Sequence, residues 1–296
     1  VDKFQQLGCC ADMCAIVVTY NSADAIGPLL ADLRQSASRL RLRVIVVDNE
    51  SSDQTAEVVK SHPDVAFLRS GGNIGYAGGI NAALPLTSLC DTVLILNPDL
   101  RVRPYALETM FDCLKADDRI GATVHRIHDP DGSIYPSLRR ELSVTRALGD
   151  AVFGRKLWLR RPSWLSDIVY QDASYERPHD VDWANGAAVL FKSEVVTQLG
   201  GWDERFFLYS EETEYMRRLR DHGYRIRFEP HAAVEHELGG SGFTPALAAL
   251  MAVNRVRYVQ MFHGRLYTWL FRVVLALGEG LRSYDRTHRQ TLMMLL

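Results

Sequence analysis

One stretch decides the fold of this chain: Val93-Leu-Ile-Leu-Asn-Pro-Asp-Leu100. Four branched apolar residues in succession are typical of a strand buried on both faces, as in the centre of a parallel sheet. Pro98 ends the strand, because proline has a fixed φ and no N–H for the hydrogen-bond ladder. Asp99 follows, and open α/β sheets bind their ligands outside the carboxyl ends of the strands. Asp99 is therefore predicted to bind Mg²⁺ or Mn²⁺ as a hard oxygen ligand, or else to cap an ordinary turn.

The composition is that of an ordinary globular protein. The chain has 296 residues, of which 47% are hydrophobic and 24% charged, so it can bury a large core. Its net charge of −2 argues against nucleic acid as a partner, because such partners usually require a basic domain.

The cysteines and the N-terminus indicate a cytoplasmic protein. Five cysteines form an odd set without the spacing of a metal site, which favours reduced thiols. The N-terminus lacks the basic-then-apolar pattern of a signal peptide. No apolar run reaches the roughly 20 residues that span a bilayer.

Strand and helix patterns alternate through the first 118 residues. Buried strands are predicted at 14–20, 43–48, 65–68 and 93–96, and apolar residues spaced by three and four predict helices at 25–40, 54–61, 75–86 and 105–116. This alternation is typical of β-α-β units with a parallel sheet and of a nucleotide-binding half-domain.

Two later regions allow more than one interpretation. Residues 143–180 contain aromatic and basic residues without a clean period, and we expect a helical lid on the core rather than a loop that contacts a second substrate. Residues 246–296 are predicted to be helical, with an apolar segment at 266–277 followed by three arginines. That tail would lie on an anionic membrane surface, or dock on the body or on a second subunit as in a homodimer.

Several residues are placed to do chemistry. Asp48 and Asp99 follow two predicted parallel strands, so we expect them to be neighbours at one edge of the sheet. The glycine-rich stretch from Asn73 to Asn81 begins a helix whose N–H groups would face a diphosphate. It matches neither a Walker loop nor a dinucleotide fingerprint, which disfavours phosphoryl and hydride transfer.

The remaining candidates lie near the end of the second half. His236 is predicted either to complete a metal site with Asp99 or to serve a structural role. Glu212 is predicted to act as a general base, although the acidic run around it is also explained by a solvated helix face. Ser210 is predicted to be the N-cap of that helix.

Taken in order, these motifs resemble those of the inverting GT-A glycosyltransferases of family 2, in the bacterial rhamnosyltransferase-like branch. The matching segments are Val17–Asn21, Val46–Asp53, Asn73–Asn81, Leu96–Asp99, Asp182–Gly186, Gly200–Phe207, Glu211–Glu212 and His236. The resemblance implies an α/β GT-A fold over residues 1–242, with a mostly parallel sheet flanked by helices. It implies a nucleotide-binding half at about 14–118, an acceptor half at about 119–242, and a helical extension at 243–296.

The resemblance also implies a role for each motif. The residues that hold the nucleotide-sugar donor, a dTDP- or UDP-sugar, would be Thr19, Asn21, Asp48, Asn73, Gly75, Gly78, Asn81, Asn97 and Asp99. Asp99 and His236 would bind Mg²⁺ or Mn²⁺. Glu212, with Glu211 as the alternative, would deprotonate a hydroxyl of a glycan or polyprenyl-diphosphate-linked acceptor. A short segment at 129–139 is similar to rhamnosyltransferases that act on polyprenyl-diphosphate sugars.

Two departures from the family pattern leave other functions open. Asn97 replaces the first acid of the D-x-D motif, and Glu212 stands where the family usually has aspartate. A catalytically impaired sugar-nucleotide-binding module therefore remains an alternative. A sugar-nucleotide pyrophosphorylase is disfavoured, since no glycine-rich signature with Arg and Lys follows the first strand.

Overall fold

A computed structural model describes residues 3–153, 162–236 and 244–296 of the chain. Its strands are β1 (Ala11–Thr19), β2 (Leu42–Asp48), β3 (Ala66–Arg69), β4 (Cys90–Leu96), β5 (Leu100–Val102), β6 (Ile120–His128), β7 (Leu138–Arg139), β8 (His179–Val181), β9 (Trp183–Ala184), β10 (Ala188–Lys192) and β11 (Arg225–His236). Its α-helices are α1 (Ala23–Ser36), α2 (Thr55–Lys60), α3 (Gly75–Ala83), α4 (Ala106–Lys115), α5 (Val144–Phe153), α6 (Ser193–Leu199), α7 (Glu211–Asp221), α8 (Pro245–Phe262), α9 (Arg265–Leu281) and α10 (Arg286–Leu295).

One large sheet organises the described part of the chain. Its strand order is β3-β2-β1-β4-β10-β6-β11-β5, and β8 also pairs with β11. The strands β1 to β4 are mutually parallel, as the alternating pattern predicts. β10 then runs antiparallel between β4 and β6, and β5 and β8 run antiparallel to β11. The sheet is therefore mixed, with its parallel half at the N-terminal side.

The carboxyl ends of the parallel strands meet at one edge. Thr19 at the end of β1 is in register with Asp48 at the end of β2, and β4 ends beside β1 on its other side. The expectation that Asp48 and Asp99 are neighbours is corrected here, because β1 lies between their strands. Two strand spacings separate those strands by about 10 Å, which leaves room for an extended ligand along the edge.

Both faces of the sheet are covered. Along β1, Ile16 and Val18 join one buried cluster, whereas Ala15 and Val17 join the other. Helices α1 and α4 bury their apolar residues against the second face, and α3, α6 and α7 bury theirs against the first. This alternation of the strand residues explains why the runs in β1, β2 and β4 are apolar at every position.

The two regions that the sequence left open, 143–180 and 246–296, are largely described by the structure. Helix α5 packs on α9, where a Cβ on Gly278 would lie 3.0 Å from that of Ala151. Tyr175 is buried and its hydroxyl donates to the carbonyl oxygen of Val169, so the described part of 143–180 packs on the core as expected for a lid. Residues 154–161, which include Trp158, lie outside the described ranges, as do 237–243. The tail is helical as predicted, and the division into domains stays a prediction.

Candidate active site

A hydrogen-bonded network joins the ends of β1 and β2. The hydroxyl of Thr19 donates to Asp48 at 3.2 Å, and the Ser51 backbone N–H and hydroxyl donate to the same carboxylate. The backbone N–H of Asn21 donates to the Ser51 hydroxyl, and the Asn21 side-chain oxygen accepts from Ser52. The three predicted nucleotide residues are therefore brought together. Asp48 is fully buried in this arrangement, so it fixes the shape of the shelf that Asn21 and the serines present.

The glycine-rich stretch is seated against the loop before α7. Gly75 has a φ of +79°, and a Cβ on it would lie 2.4 Å from the carbonyl oxygen of Phe207. That same carbonyl accepts the backbone N–H of Tyr76 at 2.8 Å. Asn73 caps the turn by accepting the Gly75 N–H, and Gly78 packs on the side chain of Ile74. The stretch therefore ties the start of α3 to the loop that precedes the two glutamates of α7.

A methyl group at Gly75 is expected to be costly. Gly75→Ala combines a left-handed backbone with a steric clash against backbone atoms, so we expect the free energy of unfolding to fall by roughly 2–4 kcal/mol. Chemical denaturation measures this change. Gly72→Ala is the matched control, because Gly72 has no atom within 4 Å of a built Cβ and lies in the same loop. A loss of less than about 1 kcal/mol at Gly75, on the scale of a typical substitution, would contradict the assignment.

Asn81 forms hydrogen bonds that hold two parts of the fold together. Its amide nitrogen donates to the Trp202 carbonyl at 2.9 Å and to Glu204 at 2.8 Å, and its oxygen accepts the Trp202 N–H at 2.7 Å. Both ends of the amide are thus engaged by the protein, which fixes the loop after α6 against α3. Direct donor binding by Asn81 stays a prediction that the geometry does not favour.

Asp99 and His236 lie close together, as the sequence predicts for a metal pair. The His236 Nε2 atom is 3.4 Å from an Asp99 oxygen, and both side chains are partly exposed. Their strands are paired, with His236 in register with Leu100. The hydrogen bond to Asp99 raises the pKa of His236. In the described part of the chain no third His, Cys, Asp or Glu joins them as a metal-binding group.

This donor set fits Mg²⁺ or Mn²⁺ held jointly with a substrate. Mg²⁺ is usually bound through one or two carboxylates together with substrate phosphates and water, so a single carboxylate and an imidazole suffice when a diphosphate supplies oxygens. Asn97, which replaces the first acid of the D-x-D motif, is partly buried, and its backbone N–H donates to the Ala187 carbonyl at 2.8 Å. That bond connects the end of β4 to the turn before β10.

Helix α7 begins with a strained turn. Tyr209 and Ser210 have φ values of +68° and +73°, although neither is glycine. Such a conformation costs on the order of 1–3 kcal/mol per residue and persists only where the surrounding structure enforces it. The prediction of Ser210 as N-cap is right about position and wrong about the bond. Its side chain caps no helical N–H, because the left-handed backbone turns it away.

Two glutamates follow this turn as the first residues of α7. Glu211 is only 4% exposed, Glu212 is partly buried, and one carboxylate oxygen of each is buried without a hydrogen-bond partner. Burial raises the pKa of Glu211 well above its usual range, and the charge of Glu212 adds to this. Burial also raises the pKa of Glu212, but N–H groups of its own helical turn and the Arg139 guanidinium lower it. The interpretation of this acidic run as a solvated face is therefore wrong for both residues.

Besides Arg139, two residues outside the predicted set lie near the glutamates. A Cβ on Gly186 would lie 3.1 Å from that of Glu212, so glycine makes the space for the glutamate. The hydroxyl of Tyr76 is buried without a partner. Burial raises the pKa of Tyr76, and so do the charges of Glu211, Glu212 and Asp99. The glutamate pair and Asp99 therefore act on one hydroxyl.

The sequence offered a signal for each of these residues. Gly186 and Tyr76 lie inside matched motifs, and Arg139 lies in the segment at 129–139. The motifs did not show which residues these side chains contact, because Gly186 and Glu212 are 26 positions apart in the chain. Periodicity does not reveal a contact of that kind.

Comparison with known proteins identifies the relatives of this chain. The family model described as Glycosyl transferase family 2 matches residues 14–177. An N-acetylglucosaminyl-diphospho-decaprenol L-rhamnosyltransferase of Mycobacterium tuberculosis is 31% identical over 256 residues, which cover 82% of each protein. The rhamnosyltransferase WbbL of Escherichia coli is 24% identical, with 73% of this chain and 79% of that protein covered.

A solved structure shares the fold. The mannosyltransferase PcManGT of Pyrobaculum calidifontis, in complex with GDP-Man and Mn²⁺, superposes with a TM-score of 0.59 at 17% identity. The match covers 99% of this chain and 86% of that one. It supports the GT-A architecture over the whole described chain, including the C-terminal helices.

Proposed function

Because the chain belongs to glycosyl transferase family 2, we propose that it transfers a sugar, with rhamnose as the first candidate, from a nucleoside-diphosphate donor to a hydroxyl of a polyprenyl-diphosphate-linked glycan. The transfer inverts the anomeric centre. The observation that carries the proposal is the glutamate pair at the start of α7, where Glu212 packs against Gly186 and one carboxylate oxygen of each glutamate is buried without a hydrogen-bond partner. The charges of both glutamates and of Asp99 raise the pKa of the buried Tyr76 hydroxyl, so Asp99 lies near the pair. A general base and a site for the leaving diphosphate are thus combined at one edge of the sheet.

Glu212 is the better of the two candidate bases. Glu211 is the more deeply buried, and burial together with the charge of Glu212 raises its pKa well above the usual range, so Glu211 is the more readily protonated of the two. Glu212 has the Arg139 guanidinium and the start of α7 to favour its ionised form. Two carboxyl groups whose environments separate their pKa values commonly divide into a proton holder and a base. We therefore propose Glu212 as the base and Glu211 as the proton holder.

The reaction then follows from the two sides of the pocket. Glu212 accepts the proton of the acceptor hydroxyl while the hydroxyl oxygen bonds to the anomeric carbon of the donor sugar. The bond from that carbon to the diphosphate breaks at the same time. Asp99 and His236 would hold Mg²⁺ or Mn²⁺, which neutralises charge on the departing diphosphate when it is bound. Thr19, Asn21 and Asp48 shape the nucleotide shelf, and Asn73, Gly75 and Gly78 line the diphosphate side.

The acceptor is inferred from the relatives. The mycobacterial relative is named for a sugar linked through diphosphate to decaprenol, and similarity to it extends over most of both chains. Arg139 supplies a cation near Glu212, which suits an acceptor that carries phosphate. Such an acceptor is held in a membrane by its lipid chain.

Helix α9 offers a surface for that membrane. The side chains of one face are apolar and between 39% and 71% exposed, and they are Leu266, Trp269, Leu270, Val273, Leu277 and Leu281. Their spacing of three and four places them on one stripe of the helix. Exposed arginines flank the stripe at 265 and 272, and each is worth about 1 kcal/mol near an anionic lipid surface. No helix within the described ranges is long and apolar enough to cross a bilayer.

Replacing Trp269 tests the lipid surface. Trp269→Glu is expected to weaken binding to phosphatidylglycerol vesicles about tenfold in a sedimentation assay, because it removes an apolar anchor and adds a repelled charge. Trp164→Glu is the matched control, since Trp164 is equally exposed but lies outside α9. If Trp269→Glu leaves vesicle binding intact and converts a dimer to a monomer, the stripe is a homodimer interface.

A donor panel tests the enzymatic proposal directly. The protein is incubated with dTDP-rhamnose, UDP-sugars and GDP-mannose, with Mg²⁺, Mn²⁺ or chelator, and with an N-acetylglucosaminyl-diphospho-polyprenol acceptor. We expect release of nucleoside diphosphate, a product of inverted anomeric configuration by NMR, and a thermal shift with the preferred donor. Donor binding without release of diphosphate would favour the catalytically impaired module instead.

A further inference from the structure

The helical extension reaches into the active site through one buried side chain. Asn254 of α8 is completely buried, and its amide nitrogen donates to the carbonyl oxygens of Leu208 and Tyr209 at 2.9 and 3.1 Å. These carbonyls belong to the turn that immediately precedes Glu211. Asn254 itself lies well beyond residues 14–177, which the family model matches.

The orientation of this amide is fixed by a second contact. The guanidinium of Arg257, one turn further along α8, donates to the Asn254 side-chain oxygen at 2.8 Å and also to the carbonyl of Arg205. Because guanidinium only donates, the oxygen of Asn254 must face it and the nitrogen must face the turn. Helix α8 therefore holds the turn through Asn254 and the loop before it through Arg257.

The turn needs such a clamp. Tyr209 and Ser210 are consecutive left-handed residues, and an isolated chain would relax both of them. The two carbonyls that Asn254 bonds are those of Leu208, which precedes the first left-handed residue, and of Tyr209, which is that residue. Relaxation of the turn would break both bonds and rotate the start of α7, which carries the two glutamates.

We propose that Asn254 is a positioning residue, which holds the left-handed turn at Tyr209 and Ser210 and thereby the Glu212 carboxylate in its reactive place. This inference rests on the proposed role of Glu212. A neighbouring contact of α8 involves another part of the chain. Arg255, the neighbour of Asn254, donates to Asp167 at 3.1 Å and reaches no residue of the turn.

The test replaces Asn254 with a side chain of the same shape. Asn254→Leu keeps the branching and the number of side-chain heavy atoms but removes both the donor and the acceptor. A displacement of about 1 Å at a reacting group costs roughly 100-fold, so we expect kcat for rhamnosyl transfer to fall about 100-fold while KM for dTDP-rhamnose changes less than twofold. Arg255→Leu is the control: it removes a different contact of α8, and kcat should stay within about threefold.

A rescue separates positioning from simple destabilisation. Glycine adopts the left-handed conformation without strain, so Ser210→Gly lowers the demand on the clamp. Introduced into Asn254→Leu, it should restore kcat by about tenfold. If Asn254→Leu retains wild-type kcat, or if it loses no more activity than Arg255→Leu at an equal loss of Tm, the inference is wrong.

Hydrogen exchange tests the clamp without an activity assay, which matters if the leucine variant fails to fold or if the wild type transfers no sugar. Hydrogen exchange of the peptide 205–214 should be faster in Asn254→Leu, and in Asn254→Ala if the leucine variant fails to fold, but unchanged in Arg255→Leu. Equal exchange in all variants would overturn the clamp. If the wild-type protein transfers no sugar from any donor, the proposed function fails, and the exchange result still decides whether α8 holds the turn.

Discussion

Glu212→Gln is expected to lower the rate of sugar transfer by about 1,000-fold while the affinity for the donor stays within about threefold of wild type. General bases contribute between about 100-fold and 10,000-fold, and glutamine keeps the shape of glutamate but cannot accept the proton. The glutamate lies against Gly186 with one oxygen unpartnered, so the amide fits the same space. Initial rates with saturating donor, and donor binding by calorimetry, measure the two quantities.

The neighbouring glutamate supplies the control, and pH supplies a second readout. Glu211→Gln removes a proton holder rather than the base, and we expect a loss below about tenfold. Because burial raises the pKa of Glu212, the wild-type rate should fall as pH drops through a value above that of an ordinary glutamate. Glu212→Gln should lack this limb. Wild-type turnover by Glu212→Gln, or a larger loss in Glu211→Gln, would assign the base differently.

Asp99→Ala is expected to weaken metal-dependent donor binding by at least about 100-fold. Groups that merely support a metal ligand cost 10–100-fold in metal affinity when they are removed, and Asp99 is the one carboxylate of the pair. Donor affinity is compared with Mg²⁺ and with chelator for each protein. The wild type should bind the donor less tightly when chelator replaces the metal. Asp99→Ala should bind the donor weakly under both conditions.

A carboxylate at the other end of the same strand controls for changes in charge. Asp91 lies at the start of β4 and is exposed, so Asp91→Ala should bind the donor as the wild type does. Donor affinity that is equal with metal and with chelator in the wild type would exclude a metal at Asp99. Normal metal-dependent binding by Asp99→Ala would place the metal elsewhere.

The parallel half of the fold was predictable because its signals are local. The apolar runs that end at Thr19, Asp48 and Asn97 can be fully buried only in strands covered on both faces of the sheet. The turn-forming residues after each run mark the edge of the sheet. The pairing of Asp99 with His236 was also predicted, from the order of the motifs. Its geometry depends on β11 lying beside β5, which no local pattern specifies.

What the sequence did not reveal depends on distant contacts. The engagement of Asn81 by Trp202 and Glu204 joins residues more than 120 positions apart, so a motif residue proved to be a structural tie. The left-handed turn at Tyr209 and Ser210 uses residues that rarely adopt it, and propensity argues against it. Asn254 was not predicted at all, because one polar residue in a helical stretch has many explanations.

The place of β10 has a consequence for how this protein is made. On a ribosome, β1 to β4 emerge early, yet the strand that covers the open side of β4 follows about 90 residues later. At 5–20 residues per second this leaves an apolar strand edge uncovered for roughly 5–20 s. Exposed edges of that kind recruit other chains. Slower growth at low temperature, or added chaperones, should therefore raise the yield of folded protein more than any change at the surface of the finished molecule.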